Sequence, residues 1–132
     1  MRAASGFALV IAAAVAGGGA AQAGDYDGSR PLICATMQAL DCVAGEECVR
    51  GLASDVGVPS FMRIDFEQKA VIGPKRISPV LLMEKGATQL LLQGRELGFG
   101  WTIALDQESG QMSATLVDQG GVFVLFGACT VQ

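Results

Sequence analysis

Residues 98–117 decide the fold, and they read GFGWTIALDQESGQMSATLV. Apolar side chains occupy every second position on both sides of a central turn, which is the pattern of strands with one buried face. They are Trp101, Ile103 and Leu105 before the turn and Met112, Ala114 and Leu116 after it. The turn, residues 106–110, ends in a glycine, as five-residue hairpin loops do. The stretch therefore predicts a β-hairpin with one buried face.

Short apolar runs separated by turn residues extend from this hairpin back to residue 31. Residues 62–67 alternate apolar and charged residues, which predicts a strand with its charged face toward water. Residues 32–40 fit a helix or a strand, and we interpret them as a strand. Strands at spacings of about ten residues predict an all-β antiparallel meander of about seven to nine strands. Such a meander closes most simply into an up-and-down barrel, with a β-sandwich as the alternative.

The chain has 132 residues, of which 51% are hydrophobic and 17% are charged. That length allows one small domain with its own core. We expect three segments: a signal peptide over 1–23, a flexible N-terminus over 24–30 and a single β domain over 31–132.

The signal peptide is predicted from the first 23 residues, MRAASGFALVIAAAVAGGGAAQA. Arg2 supplies the positive start, an apolar stretch follows from Phe7 to Ala16, and Ala21-Gln22-Ala23 forms an A-x-A cleavage site. The apolar part, about ten residues, is too short to span a bilayer. We expect cleavage after Ala23, a periplasmic or secreted bacterial protein, and no membrane span in the mature chain.

Four cysteines follow the leader, at Cys34, Cys42, Cys48 and Cys129. An even number in an exported small domain predicts two disulfides, with three possible connectivities. We favour Cys42–Cys48, which closes a local loop, and Cys34–Cys129, which places the first and last strands side by side as barrel closure requires. A metal or redox site is disfavoured because the spacings lack a C-x2–4-C knuckle, so no metal and no cofactor are expected.

The charge balance and the missing residue types exclude several functions. The net charge is −4, and loss of Arg2 with the leader makes it −5, so a nucleic-acid partner is not expected. The chain has no histidine and no G-x-S-x-G, P-loop or H-E-x-x-H motif, which disfavours an enzyme. A hydrolase using two converging carboxylates among Asp65, Glu67, Asp106 and Glu108 is the residual alternative, although an exposed charged strand face explains Asp65 and Glu67 better.

Five residues are candidates for binding. Trp101, beside two glycines, could stack on a ring, although a core tryptophan is the favoured interpretation. Lys75 and Arg76, with Lys85 nearby in sequence, could bind a phosphate or a carboxylate. Glu46 and Glu47 would protrude from the Cys42–Cys48 loop toward a basic partner. For both charged pairs, plain solvent exposure is the competing explanation.

The barrel interior gives the alternative function. Residues 90–92 and 122–126 could line a cavity of a few hundred Å3 for a small apolar ligand, although we expect a barrel of this length to be filled by its own side chains. The predicted function is a non-catalytic binding or interaction module that contacts a periplasmic protein. The alternative is a carrier of a small apolar ligand.

The segments TIALDQESGQMSATL and VFVLFGACT resemble small secreted β-rich proteins of Gram-negative bacteria that have no assigned activity. This resemblance implies that the protein is located in the periplasm. In outline the chain is also similar to the barrels that inhibit C-type lysozyme, through secretion, a late cysteine and a β-meander. Their inhibitory loop of Ser, Lys and Tyr has no counterpart here, since the only tyrosine is Tyr26, so no inhibitory residue is implied.

Overall fold

The computed structural model describes residues 25–132, and the expected signal peptide lies outside this range. The described part is all β apart from one short 3-10 helix, η1. The elements are β1 (Leu32–Cys42), β2 (Val49–Gly51), η1 (Ala53–Val56), β3 (Phe61–Asp65), β4 (Ala70–Ile72), β5 (Ile77–Lys85), β6 (Gln89–Glu96), β7 (Phe99–Asp106), β8 (Gln111–Asp118) and β9 (Gly121–Val131).

The predicted hairpin is formed by β7 and β8, with Ile103 opposite Ala114. In the turn, Asp106 Oδ1 accepts a hydrogen bond from the Ser109 amide at 2.7 Å. Gly110 ends the turn with φ of 73°, in the left-handed region that glycine adopts without strain. The alternation seen in the sequence therefore decides which face of the hairpin is buried.

The sheet closes into a barrel. Each strand from β3 to β9 pairs antiparallel with the next, β1 pairs with β3, and β1 also pairs with β9. Eight strands thus form the closed barrel, and β2 is an additional strand on the free part of β1. This confirms the predicted up-and-down barrel over the sandwich.

Both favoured disulfides are present. Cys34–Cys129 joins residues that are directly opposite each other on β1 and β9. Cys42–Cys48 closes the short loop after β1. The first bridge lies where β1 pairs with β9. The barrel is therefore closed at the same place by a disulfide and by backbone hydrogen bonds.

The ambiguity of residues 32–40 has a structural cause. They are part of β1, as interpreted, but the pairing with β9 shifts register between Thr36 and Gln38. At this bulge Met37 turns outward and is 73% exposed. Because the extra residue of a bulge reverses which side chains point inward, the two-residue period of a strand does not fit the whole segment, and the 3.6-residue period of a helix does not fit it either.

Besides buried residues of β1 and β3, the core contains three layers of inward positions across β6 to β9. From the lower layer to the upper they are Leu90, Leu105, Met112 and Gly127; Leu92, Ile103, Ala114 and Leu125; and Gly94, Trp101, Leu116 and Phe123. We call the end at which β7 and β9 begin the upper end of the barrel. The lower layer is densely filled: Leu90, Leu105 and Met112 are at most 2% exposed.

Residues 25–30, expected as a flexible start, lie against the lower end. The Tyr26 ring is next to Gly110, where an added Cβ would come within 2.6 Å of it. Gly28 lies over Leu90, with 3.4 Å from the position of a Cβ to Leu90 Cδ2. Asp27 pairs with Lys85 of β5 at 3.4 Å. This segment covers the filled end of the barrel.

One expectation for β3 is wrong. Met62 and Ile64 are buried as predicted, but Asp65 is also buried instead of facing water. Its carboxylate accepts a hydrogen bond from the Gln68 amide at 2.9 Å and pairs with Arg63 at 2.7 Å. A buried carboxylate is tolerated where it is paired and hydrogen-bonded, so Asp65 holds the β3–β4 turn.

Candidate functional site

The upper end of the barrel contains a cavity of about 610 Å3. One wall is made by the inward side chains of β7 to β9 in the middle and upper layers. These are Trp101, Ile103, Ala114, Leu116, Phe123 and Leu125. The cavity extends from buried Leu125 out to exposed residues at its rim. The expectation of a barrel filled throughout is therefore wrong for the upper end, while residues 90–92 do not line the space.

The cavity opens beside the middle layer, where the small side chain of Ala114 leaves space. Ala114 takes the place that Met112 fills one layer below. The opposite wall is not a continuous sheet: it consists largely of the loop 52–60 and the turn 73–76, with Met62 of β3 and Val71 of β4. The short strands β3 and β4 and the loop 52–60 bring too few side chains inward to fill this part of the barrel interior.

Trp101 forms a fixed part of the wall. It is 7% exposed, and its Nε1 donates a hydrogen bond to Ser78 Oγ at 2.8 Å. Ser78 Oγ in turn donates to the Arg95 carbonyl at 3.1 Å. The indole lies directly on Gly94, where any Cβ would collide with it. Trp101 is thus a core residue, as favoured, and it also presents its ring to the cavity.

The loop 52–60 is held in a defined conformation over the cavity. Asp55 Oδ2 accepts a hydrogen bond from the Leu52 amide at 2.7 Å, and the Val58 amide donates to the Ala53 carbonyl at 3.0 Å. At its end, the Ser60 carbonyl accepts from the Thr36 amide of β1 at 2.9 Å. These bonds make the loop a wall of the cavity and fasten it to the barrel.

Lys75 and Arg76 lie at the rim. Both are exposed and line the cavity opening on the turn between β4 and β5. This turn is closed by a hydrogen bond from the Gly73 amide to the Arg76 carbonyl at 2.9 Å. Lys85 does not join them, because it lies at the lower end and pairs with Asp27. The structure therefore brings together Lys75, Arg76 and Trp101 on one cavity and separates Lys85 from them.

Glu46 and Glu47 are exposed in the loop closed by Cys42–Cys48. They do not line the cavity. They form an exposed acidic loop at the upper end, where β1 ends beside the start of β9, but outside the lining of the cavity.

Two of the carboxylates considered for hydrolysis, Asp65 and Asp106, accept hydrogen bonds within turns. The hydrogen bond from the Gln68 amide, together with Arg63, lowers the pKa of Asp65. Hydrogen bonds from Ser109 and the Glu108 amide lower the pKa of Asp106. A carboxyl group held ionised is poorly suited to act as a general acid. Neither of them, nor Glu67 or Glu108, lines the cavity.

Sequence reasoning missed three small residues that shape the site: Ser78, Gly94 and Ala114. Gly94 and Ala114 each occupy an inward position of a strand that otherwise carries large apolar residues there. A small residue at an inward position was the available signal. It becomes visible only when the register aligns Gly94 with Trp101 and places Ala114 beside Ile103.

Comparison of the chain with protein families, curated proteins and solved structures found no match. The resemblances drawn from the sequence therefore stay predictions. Among residues 25–132, no helix has the length and apolar character needed to cross a membrane. The same residues contain no group of three or more His, Cys, Asp or Glu placed to hold a metal ion.

Proposed function

We propose that this protein is a non-catalytic binding protein that carries a small, mainly apolar ligand in its upper cavity. The observation that supports this most is the cavity itself, about 610 Å3 with walls of Trp, Ile, Leu and Phe. Pockets for small molecules span roughly 300–1,000 Å3 and are lined mainly by such residues. An engineered apolar cavity of about 150 Å3 already binds benzene.

The two buried polar side-chain groups at the cavity already have partners. Ser78 Oγ and Trp101 Nε1 are joined to each other, and Ser78 also reaches the Arg95 carbonyl. No described buried side-chain nitrogen or oxygen lacks a hydrogen-bond partner. A ligand would therefore gain affinity from burial of apolar surface rather than from new hydrogen bonds inside the barrel.

Export of the protein belongs to the same proposal. The two disulfides fit an oxidising compartment, and the A-x-A leader pattern fits a signal peptide. A periplasmic or secreted carrier would hold a poorly soluble molecule in an aqueous space.

The test uses N-phenyl-1-naphthylamine, a neutral apolar dye whose fluorescence rises in a non-polar site. Trp101 is the only tryptophan of the chain, so energy transfer from it to the dye reports occupancy of this cavity. We expect saturable binding with one site per chain. Ala114→Leu should weaken binding at least tenfold, because the added side chain enters the cavity.

The matched control is Ala104→Leu, which makes the same addition on β7 outside the cavity and should bind normally. Both variants are compared after circular dichroism has shown that they fold. Absence of saturable binding to the wild type, or equal binding by both variants, would contradict the proposal. The interaction module would then be the better hypothesis, with the loop bearing Glu46 and Glu47 as its first contact to test.

A further inference from the structure

We propose that the ligand is an amphiphile with a single negative charge, whose head group is bound by Lys75 and Arg76 while its apolar tail lies against Trp101. This inference rests on the proposed function, and it adds the chemical class of the ligand.

Lys75 and Arg76 lie together at the cavity opening, and of the six other cations described three have a carboxylate partner while Arg50, Lys69 and Arg95 have none. The three ion pairs join Arg30 to Asp25, Arg63 to Asp65 and Lys85 to Asp27. Within residues 25–132, neither Lys75 nor Arg76 has a carboxylate oxygen within 4.0 Å. In a chain with 13 acidic residues and a net charge of −4, two adjacent cations without a partner at a cavity opening are available for an incoming anion.

The turn that carries them is held in position before any ligand arrives. Pro74 fixes one backbone angle, and the Gly73 amide closes the turn onto the Arg76 carbonyl. Gly73 also lies against Pro59 of the loop 52–60, 3.3 Å from the position of a Cβ to Pro59 Cγ. Holding the binding groups in advance reduces the ordering cost of association.

The charge at the rim favours a monoanion. Glu96, the last residue of β6, also lines the cavity and has no described ion pair. The charged residues that line the cavity, two cations and one carboxylate, sum to about +1 at neutral pH, which complements one carboxylate better than a phosphate monoester of charge near −2.

The charge of such a ligand must remain at the rim. No charged side chain belongs to the inner wall made by β7 to β9, and burying an unpaired charge against apolar side chains is strongly unfavourable. The tail therefore points inward toward Ala114 and Leu125, and the head group meets the solvent-exposed cations. A medium-chain carboxylate has this combination.

The experiment measures displacement of N-phenyl-1-naphthylamine by three compounds with the same ten-carbon tail: decanoate, decan-1-ol and decyltrimethylammonium. All are used below their micelle concentrations at neutral pH and low salt. We expect decanoate to bind about tenfold more tightly than decan-1-ol, and raising the salt concentration should reduce this difference. Decyltrimethylammonium should bind more weakly than either.

The double variant K75A/R76A should lose the preference for decanoate while keeping the affinity for decan-1-ol. The matched control R50A/R95A removes two exposed arginines that do not line the cavity, and its preference should be unchanged. Retained binding of decan-1-ol shows that each variant is folded.

Each outcome separates the two proposals. Equal affinity for decanoate and decan-1-ol, tighter binding of the ammonium compound, or a preference that survives K75A/R76A would overturn the head-group inference while the carrier proposal stands. Dye binding that none of the three compounds displaces would also overturn it. Failure of the dye itself to bind the wild type would overturn the carrier proposal.

Discussion

The lower and upper halves of this barrel are built from the same strands but have opposite interiors. Below, Leu90, Leu105 and Met112 fill the cross-section, and residues 25–30 cover the end. Above, Ala114 leaves space, and the facing wall is the loop 52–60. Strand alternation is the same in both halves, so the size of the inward side chains and the type of facing wall decide whether the interior is solid.

This difference assigns separate tasks to the two halves. The lower half holds the fold together through dense packing, the Cys34–Cys129 bridge and a covering segment. The upper half is less densely packed and contains an apolar cavity with charged residues at its opening. Removing groups from the lower half should mainly cost stability, whereas filling the upper half should mainly cost binding.

The largest effect is expected from the disulfide that closes the barrel. Cys34 and Cys129 are 95 residues apart and Cys42 and Cys48 only 6. In the chain-entropy account, their loss lowers the free energy of unfolding by about 4.7 and about 2 kcal/mol respectively. Denaturant unfolding of C34A/C129A and C42A/C48A should show this order, and equal losses would contradict the role given to the barrel-closing bridge.

Core truncation should distinguish the two interiors next. Leu105→Ala removes a side chain that is fully buried in the filled layer, and we expect a loss of roughly 3 kcal/mol or more. Leu116→Ala truncates a side chain that already borders empty space, so about half that loss or less is expected. Urea unfolding of both variants measures the difference, and a larger loss at Leu116 would show that the upper half is packed.

Adding atoms should have a local effect within the upper half. Gly94→Ala places a methyl group against the Trp101 ring, and we expect a loss of about 1–3 kcal/mol with a shifted fluorescence spectrum. Ala114→Leu adds more atoms but has the cavity to receive them, so its free energy of unfolding should stay within about 1 kcal/mol of the wild type. A large loss for Ala114→Leu would mean that the space is not available.

The smallest effect is expected on the unfolding midpoint at low pH. Hydrogen bonds from Ser29, with a contribution from Lys85, lower the pKa of Asp27 from 3.8 to about 2. A carboxyl group whose pKa is lowered in the folded state stabilises it above the unfolded pKa, and this contribution is lost as the pH falls from about 4 to about 2. Asp27→Asn should flatten the decline of the unfolding midpoint over this range and leave its slope above pH 5 unchanged. An identical pH profile for the variant would show that residues 25–30 do not hold the lower end.

The fold could be predicted from the sequence because alternation and turn residues are local signals. Residues 98–117 gave their hairpin directly, and the pairing of Cys34 with Cys129 anticipated the β1–β9 contact. The Met37 bulge was not predicted, because an extra residue disrupts the period on which such predictions depend. The burial of Asp65 was missed for a related reason: its partners at Arg63 and Gln68 become visible only once the turn is built.

The site could be predicted only in part. Lys75, Arg76 and Trp101 were singled out individually for their chemistry, but their shared position on one cavity depends on barrel closure. The cavity itself results from the small side chain of Ala114 and from the shortness of β3 and β4. Missing side-chain atoms leave little signal in a sequence. The expectation of a filled interior was correct for the lower layer and wrong for the upper end, where Ala114 and the loop 52–60 leave space.

NMR can show whether the upper half of the barrel is a binding cavity and the lower half a solid core. Amide shifts of the isotope-labelled protein would be mapped while decan-1-ol, a neutral ligand, is added. This division of the interior predicts saturable shifts at Trp101, Ala114 and Leu125 and unchanged amides at Leu90 and Leu105. Shifts confined to the outer surface, or spread equally over both halves, would contradict it.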